Sequence, residues 1–123
     1  MNQAVLKLDR GKAQIAIDML DKVLPLYADK PQNVLTYRAA AAIDLGQLDL
    51  AERDFATVRA HAASDAEVLN GLCWTAALKG VLLDQALKDC DAALAVSPNT
   101  PHILDSRARV LLQMGDATAA LTV

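Results

Sequence analysis

Two histidines, His61 and His102, and two cysteines, Cys73 and Cys90, are the side chains of this sequence best suited to chemistry. An imidazole serves as general acid or base when an orienting partner and a substrate proton stand beside it. The two histidines are far apart in the chain, and neither belongs to a His-x3-His pair. Cys-x2-Cys, a glycine-rich phosphate loop and Gly-x-Ser-x-Gly are all missing. Two cysteines make neither a zinc site nor a disulfide framework. The charge pairs Asp49–Arg53 and Asp84–Lys88 are spaced as neighbours on a helix surface, where each adds about 0.2–0.5 kcal/mol. These residues assemble no catalytic, cofactor or metal site. The expectation is a non-enzymatic chain without a cofactor.

The elements that would position these residues follow from composition and spacing. The 123 residues suffice for one ordinary domain. Apolar types make up 54 %, including 24 Ala and 20 Leu, while aromatics are only 3 %. Such a mixture is too rich in Leu for a disordered chain and too poor in β-branched and aromatic residues for a β-sandwich. It suits helices packed closely through small side chains. A net charge of −3 argues against nucleic acid, which calls for clustered Lys and Arg. No apolar run approaches the roughly 18 residues of a membrane span. Met1 to Arg10 lacks the basic-then-apolar layout of a signal peptide.

The chain also repeats itself. Gly11, Gly46, Gly80 and Gly115 are spaced 35, 34 and 35 residues apart. An alanine follows each at Ala16, Ala51, Ala86 and Ala120, and a small residue precedes each by seven at Ala4, Ala39, Cys73 and Ala108. Within a period the apolar residues predict two helices. Leu35, Ala39, Ala42 and Ile43 lead to Gly46, a residue free to end a helix at positive φ. Leu48, Ala51, Phe55 and Val58 then mark a second helix. The third period gives Leu69, Leu72, Cys73 and Ala76 up to Gly80, then Leu83, Ala86, Leu87, Cys90, Ala93 and Leu94 before Ser97-Pro98-Asn99. The fourth starts at Pro101 and carries Leu104, Ala108 and Leu111 to Gly115. The first keeps only Met1 to Asp9 of its leading helix, and one extra residue after Gly80 should widen that bend.

This period, with Leu, a small residue, Gly, Ala, an apolar residue and a closing Pro, resembles the tetratricopeptide repeat, TPR. The third period fits best (Leu69, Leu72, Cys73, Ala76, Gly80, Ala86, Cys90, Ala93, Pro98), and the match covers essentially the whole chain. The signature Trp or Tyr of the first helix is replaced by Leu, and the second period has Ala63 in place of the closing Pro. Leu-Cys-Trp, Asp-Cys-Asp and Asp-Ser-Arg at 72–74, 89–91 and 105–107 also look like a TPR variety from larger bacterial proteins.

The resemblance implies an all-α superhelix, a solenoid of antiparallel helix pairs in one domain. Its periods would be 1–30, 31–65, 66–100 and 101–123, about three and a half repeats with the first and last truncated. The ends carry no polar caps, so the sequence reads as a piece of a longer chain or as one that pairs with itself. Cys73 and Cys90 would face each other across one helix pair. They read as two small buried hydrophobes, as a disulfide needing Cα atoms within about 7 Å and an oxidising compartment, or as a redox-active thiol pair. As it stands the chain reads as soluble and cytoplasmic, or periplasmic if a parent chain carries a signal and the cysteines are oxidised.

The resemblance further implies a concave groove lined by the first helices. Its residues would be Val5 and Leu8; Asn33, Thr36, Ala40 and Ile43; Glu67, Asn70, Trp74 and Ala77; and His102, Asp105, Arg109 and Leu112. Trp74 and Arg109 are the types that most often anchor interfaces. TPR domains that hold a chaperone's C-terminal carboxylate use Lys and Asn side chains with an Arg. The matching sites here, Met1, Val5, Tyr37, Glu67 and Gly71, do not keep that set, so such a tail is not the expected partner. The expected function is protein–protein interaction, with an unidentified peptide or partner protein in the groove. Self-association as a scaffold, or service as the accessory domain of a longer enzyme, are the alternatives.

Overall fold

The computed structural model describes the backbone of residues 3–115 and the side chains of residues 11–115. The described residues are all-α, with adjacent helices packed in pairs and no strand, a helical-repeat fold. Six α-helices follow in order: α1 (Gln3–Val23), α2 (Gln32–Asp44), α3 (Leu48–His61), α4 (Ala66–Lys79), α5 (Leu83–Val96) and α6 (Pro101–Gln113). A short 3-10 helix, Leu24–Tyr27, follows α1. The periods 31–65 and 66–100 each hold one helix pair. By contacts the chain divides into two compact units, one ending at Val58 and the next starting at Arg59.

In the first unit α1, which buries Ala13 and Ile17, packs on α2, which buries Val34, Leu35, Ala39, Ala41 and Ala42. Pro25, near the start of the 3-10 helix, lacks the N–H that would continue α1. At the far end of α2 the chain reverses over Gly46, whose φ is +78°. The Gly46 N–H donates to the Ile43 carbonyl (2.9 Å) and the Gln47 N–H to the Ala42 carbonyl (2.8 Å). This pairing satisfies carbonyls that the helix leaves open, and the positive φ it needs suits glycine. After the reversal α3 buries Ala51, Phe55 and Val58.

Gly11 behaves differently from the reading by period. No helix ends there: α1 runs unbroken for 21 residues, and Gly11 is not among the glycines at positive φ. A lone glycine costs a helix about 1 kcal/mol. Continued backbone hydrogen bonding and the packing of Ala13 and Ile17 outweigh that. Val5 and Leu8 lie on the backbone of α1, but their side chains, like all of Met1, fall outside the described residues.

In the second unit α4 starts at Asp65, whose Oδ1 accepts from the N–H groups of Glu67 and Val68, both at 3.1 Å. α4 and α5 form an antiparallel pair, and α6 packs on both. Their core joins Cys73, Ala76, Ala77, Ala86, Cys90 and Val110, with Leu82, Leu83 and Leu87 against it. Side chains this small let the helices approach until the Cys73 and Cys90 Cα atoms are 5.5 Å apart, and the two sulfurs are joined as a disulfide. The extra residue after Gly80 does not simply widen the bend. Gly80 (φ +69°) closes α4 as Gly46 closes α2, and the added residue, Leu82, takes a left-handed conformation (φ +54°) ahead of α5.

Burial on α6 departs from the expected stripe. Leu111 is buried as expected, but Leu104 and Ala108 are only half-buried, and Ile103, Ser106 and Val110 take the interior. The helices packed against α6 among the described residues are α4 and α5, and they select the face that meets them.

Candidate functional site

α4 and α6 are the leading helices of successive periods and lie side by side. Counting back from Gly80 and from Gly115, Glu67 matches His102, Asn70 matches Asp105, Trp74 matches Arg109 and Ala77 matches Leu112. The structure turns two of these matches into contacts. His102 Nε2 lies 2.7 Å from Glu67 Oε1, with both side chains more than half exposed. The Arg109 guanidinium sits over the Trp74 ring, 5.4 Å from its centroid, a cation–π geometry. One residue past Leu112, Gln113 Nε2 donates to the Ala77 carbonyl (3.0 Å).

The face therefore runs from an ionisable Glu–His pair at its N-terminal end to an aromatic–guanidinium pair nearer its C-terminal end. Asn70 is half-buried between them, and its shielded Oδ1 accepts no hydrogen bond within the described residues. Asp105, Arg109 and Leu112 are exposed, while Trp74 is half-buried.

Not every expected groove residue belongs here. Ala77 is fully buried in the core cluster and cannot touch a ligand, because the α4 turn ending at Gly80 faces α5 and Val110. On α2, in the first unit, Thr36 is half-buried and donates through Oγ1 to the Gln32 carbonyl (2.7 Å). Ala40 and Ile43 on the same helix are half-buried, and Asn33 is exposed. His61 is exposed at the end of α3. Asp49, Arg53, Asp84 and Lys88 are exposed on their helices.

Sequence reasoning missed the buried acids. Asp54 and Asp89, 35 residues apart, are each 3 % exposed. Arg38 clasps Asp54 with two hydrogen bonds (2.9 and 2.7 Å) and reaches Asp21 with a third (2.9 Å). This raises the guanidinium pKa, chiefly through the Asp54 hydrogen bond, with burial opposing and Asp21 adding. Leu72 stands in the third period where Arg38 stands in the second, so Asp89 draws on another helix. Arg59 clasps it at 2.7 and 2.8 Å. Arg107, matching Arg38 in register, binds Asp91 at 2.8 Å, as Arg38 binds Asp21. The signal was in the sequence as acids recurring within apolar stretches at the repeat spacing. Carboxylates so fully engaged are structural ties rather than free bases.

Among the described residues no three His, Cys, Asp or Glu side chains converge to hold a metal ion, and no helix is long and apolar enough to cross a membrane. No protein-family model, no curated protein and no solved structure matches the chain. The TPR resemblance accordingly rests on this chain's own residues.

Proposed function

We propose that this chain is a non-catalytic interaction domain of the tetratricopeptide type, holding a peptide segment of a partner protein along the α4–α6 face. The observation that carries the reading is the Trp74–Arg109 pair, displayed on neighbouring leading helices in repeat register. Trp and Arg are the residues most often found as energetic anchors of interfaces. Stacking holds both in place before any partner arrives, which lowers the ordering cost of binding. The Cys73–Cys90 disulfide favours an oxidising compartment.

Trp74 is the single tryptophan, so its fluorescence reports on this face alone. Peptides selected from a random displayed library on the immobilised domain should perturb that fluorescence when titrated. By calorimetric titration, Trp74→Ala and Arg109→Ala should each weaken their binding by about 2 kcal/mol, with helicity by circular dichroism unchanged. Unchanged affinity in both variants would place the site elsewhere.

A specific observation also favours self-association. Ile15 and Met19, one helical turn apart on α1, are 57 % and 63 % exposed. Light scattering over a tenfold concentration range separates the two readings. A constant 13.1 kDa species supports an external partner, and a dimer or growing oligomer supports the scaffold.

A further inference from the structure

The three residues Asp89, Cys90 and Asp91 on α5 each hold a different part of the second unit. Asp89 takes Arg59 from the end of α3, Cys90 is bonded to Cys73 on α4, and Asp91 takes Arg107 from α6. Two of these ties reach the Trp74–Arg109 pair almost directly. Cys73 immediately precedes Trp74 on α4, and Arg107 lies two residues before Arg109 on α6. The covalent tie is the central one of the three, and both of its cysteines are fully buried.

We infer that this run is a tie whose central link is redox-dependent, so that the Trp74–Arg109 face is fully formed only when Cys73 and Cys90 are oxidised. A dithiol reductant opens the link by exchange. Its thiolate attacks one cysteine sulfur and forms a mixed disulfide while the other cysteine leaves as thiolate. The reductant's second thiolate then displaces the first cysteine. Two protein thiols and the cyclic disulfide of the reductant result, a transfer of two electrons and two protons. Because neither sulfur is exposed, the first attack waits for the α4–α5 pair to open. Afterwards each thiol is a small apolar group that the core tolerates. The unit stays folded, but α4 is held to α5 by packing alone and is free to shift beneath the aromatic–guanidinium contact. The inference concerns the conformation of the face and stands whether or not a peptide binds there.

The test uses the whole chain with dithiothreitol, iodoacetamide and mass spectrometry. Denatured protein should take up no label without reductant and two labels with it; two labels without reductant overturn the pairing. Native protein should be reduced at least about tenfold more slowly than denatured protein, and equal rates overturn the gating. In the reduced, still folded protein, acrylamide quenching of Trp74 should rise about twofold, the population change that losing a cation–π contact allows. The melting temperature should fall by roughly 10 °C. Unchanged quenching overturns the coupling to the face. Reduced wild type is the primary sample because it keeps every atom of the core. Cys73→Ala/Cys90→Ala, if it folds, should match its quenching, and oxidised-like quenching in that variant also overturns the coupling.

Discussion

Asp54 illustrates how much a single side chain can decide. An unpaired carboxylate at its depth would cost several kcal/mol, and the bidentate clasp of Arg38 is what makes the position tolerable. Removing Asp54 leaves a largely buried guanidinium with only its contact to the half-exposed Asp21. Asp54→Ala should destabilise the protein by about 3 kcal/mol, read as a lowered urea midpoint. Asp91→Ala, whose partner Arg107 meets it at a half-exposed site, should cost no more than about 1 kcal/mol. The raised Arg38 pKa gives a sign for pH. A cation held above its ordinary value contributes fully below that value and loses its contribution only as pH climbs through the elevated one. The destabilisation caused by Arg38→Ala should therefore be the same at about pH 7 and about pH 9, since guanidinium stays charged throughout.

At the scale of elements, the glycines separate true turns from a spacing that only looks like one. Gly46 and Gly80 sit at positive φ, so alanine at either should cost about 1 kcal/mol. Gly11 lies inside α1 with open space around a new Cβ, and Gly11→Ala should stabilise by about 0.5–1 kcal/mol. Thermal melts of the three variants check this directly, and a destabilised Gly11→Ala would restore the turn that the period suggests. Asp65→Ala should cost about 1 kcal/mol by stripping the cap from α4. Leu82 spends backbone strain to absorb one extra residue, and its packing against the Cys73–Cys90 cluster holds it there.

For the whole molecule, the disulfide lies entirely within the second unit, and so does Trp74. Loss of a closed loop this size removes roughly 3 kcal/mol in the chain-entropy account. Reductant should accordingly lower the urea midpoint reported by Trp74 fluorescence, and an unmoved midpoint would count against any structural value of the bond. The same unit carries the proposed binding face. Beside Leu69, Leu72, Ile103 and Leu111, its buried residues include many small ones: Cys73, Ala76, Ala77, Ala86, Cys90 and Ala93. Small residues bury little apolar area each, which gives the covalent tie and the Arg59–Asp89 and Arg107–Asp91 contacts more weight than they would have in a core of large side chains only.

Much of this was legible in the chain itself. Ala and Leu at helical spacing, with glycines about 35 residues apart, dictate helix pairs. The repeat register placed Glu67 opposite His102 and Trp74 opposite Arg109, because residues at equal distances from equivalent glycines fall at equal heights on neighbouring leading helices. Other features needed the tertiary structure. Which of two facing cysteines' fates applies depends on a Cα separation that no spacing specifies. The burial of Asp54 and Asp89 depends on the arginines that neutralise them, which are brought in from other helices. The continuity of α1 through Gly11, the burial of Ala77 and the rotated seam of α6 were likewise decided by the helices packed against them. Local sequence sets the period and the propensity, but burial is a property of neighbours.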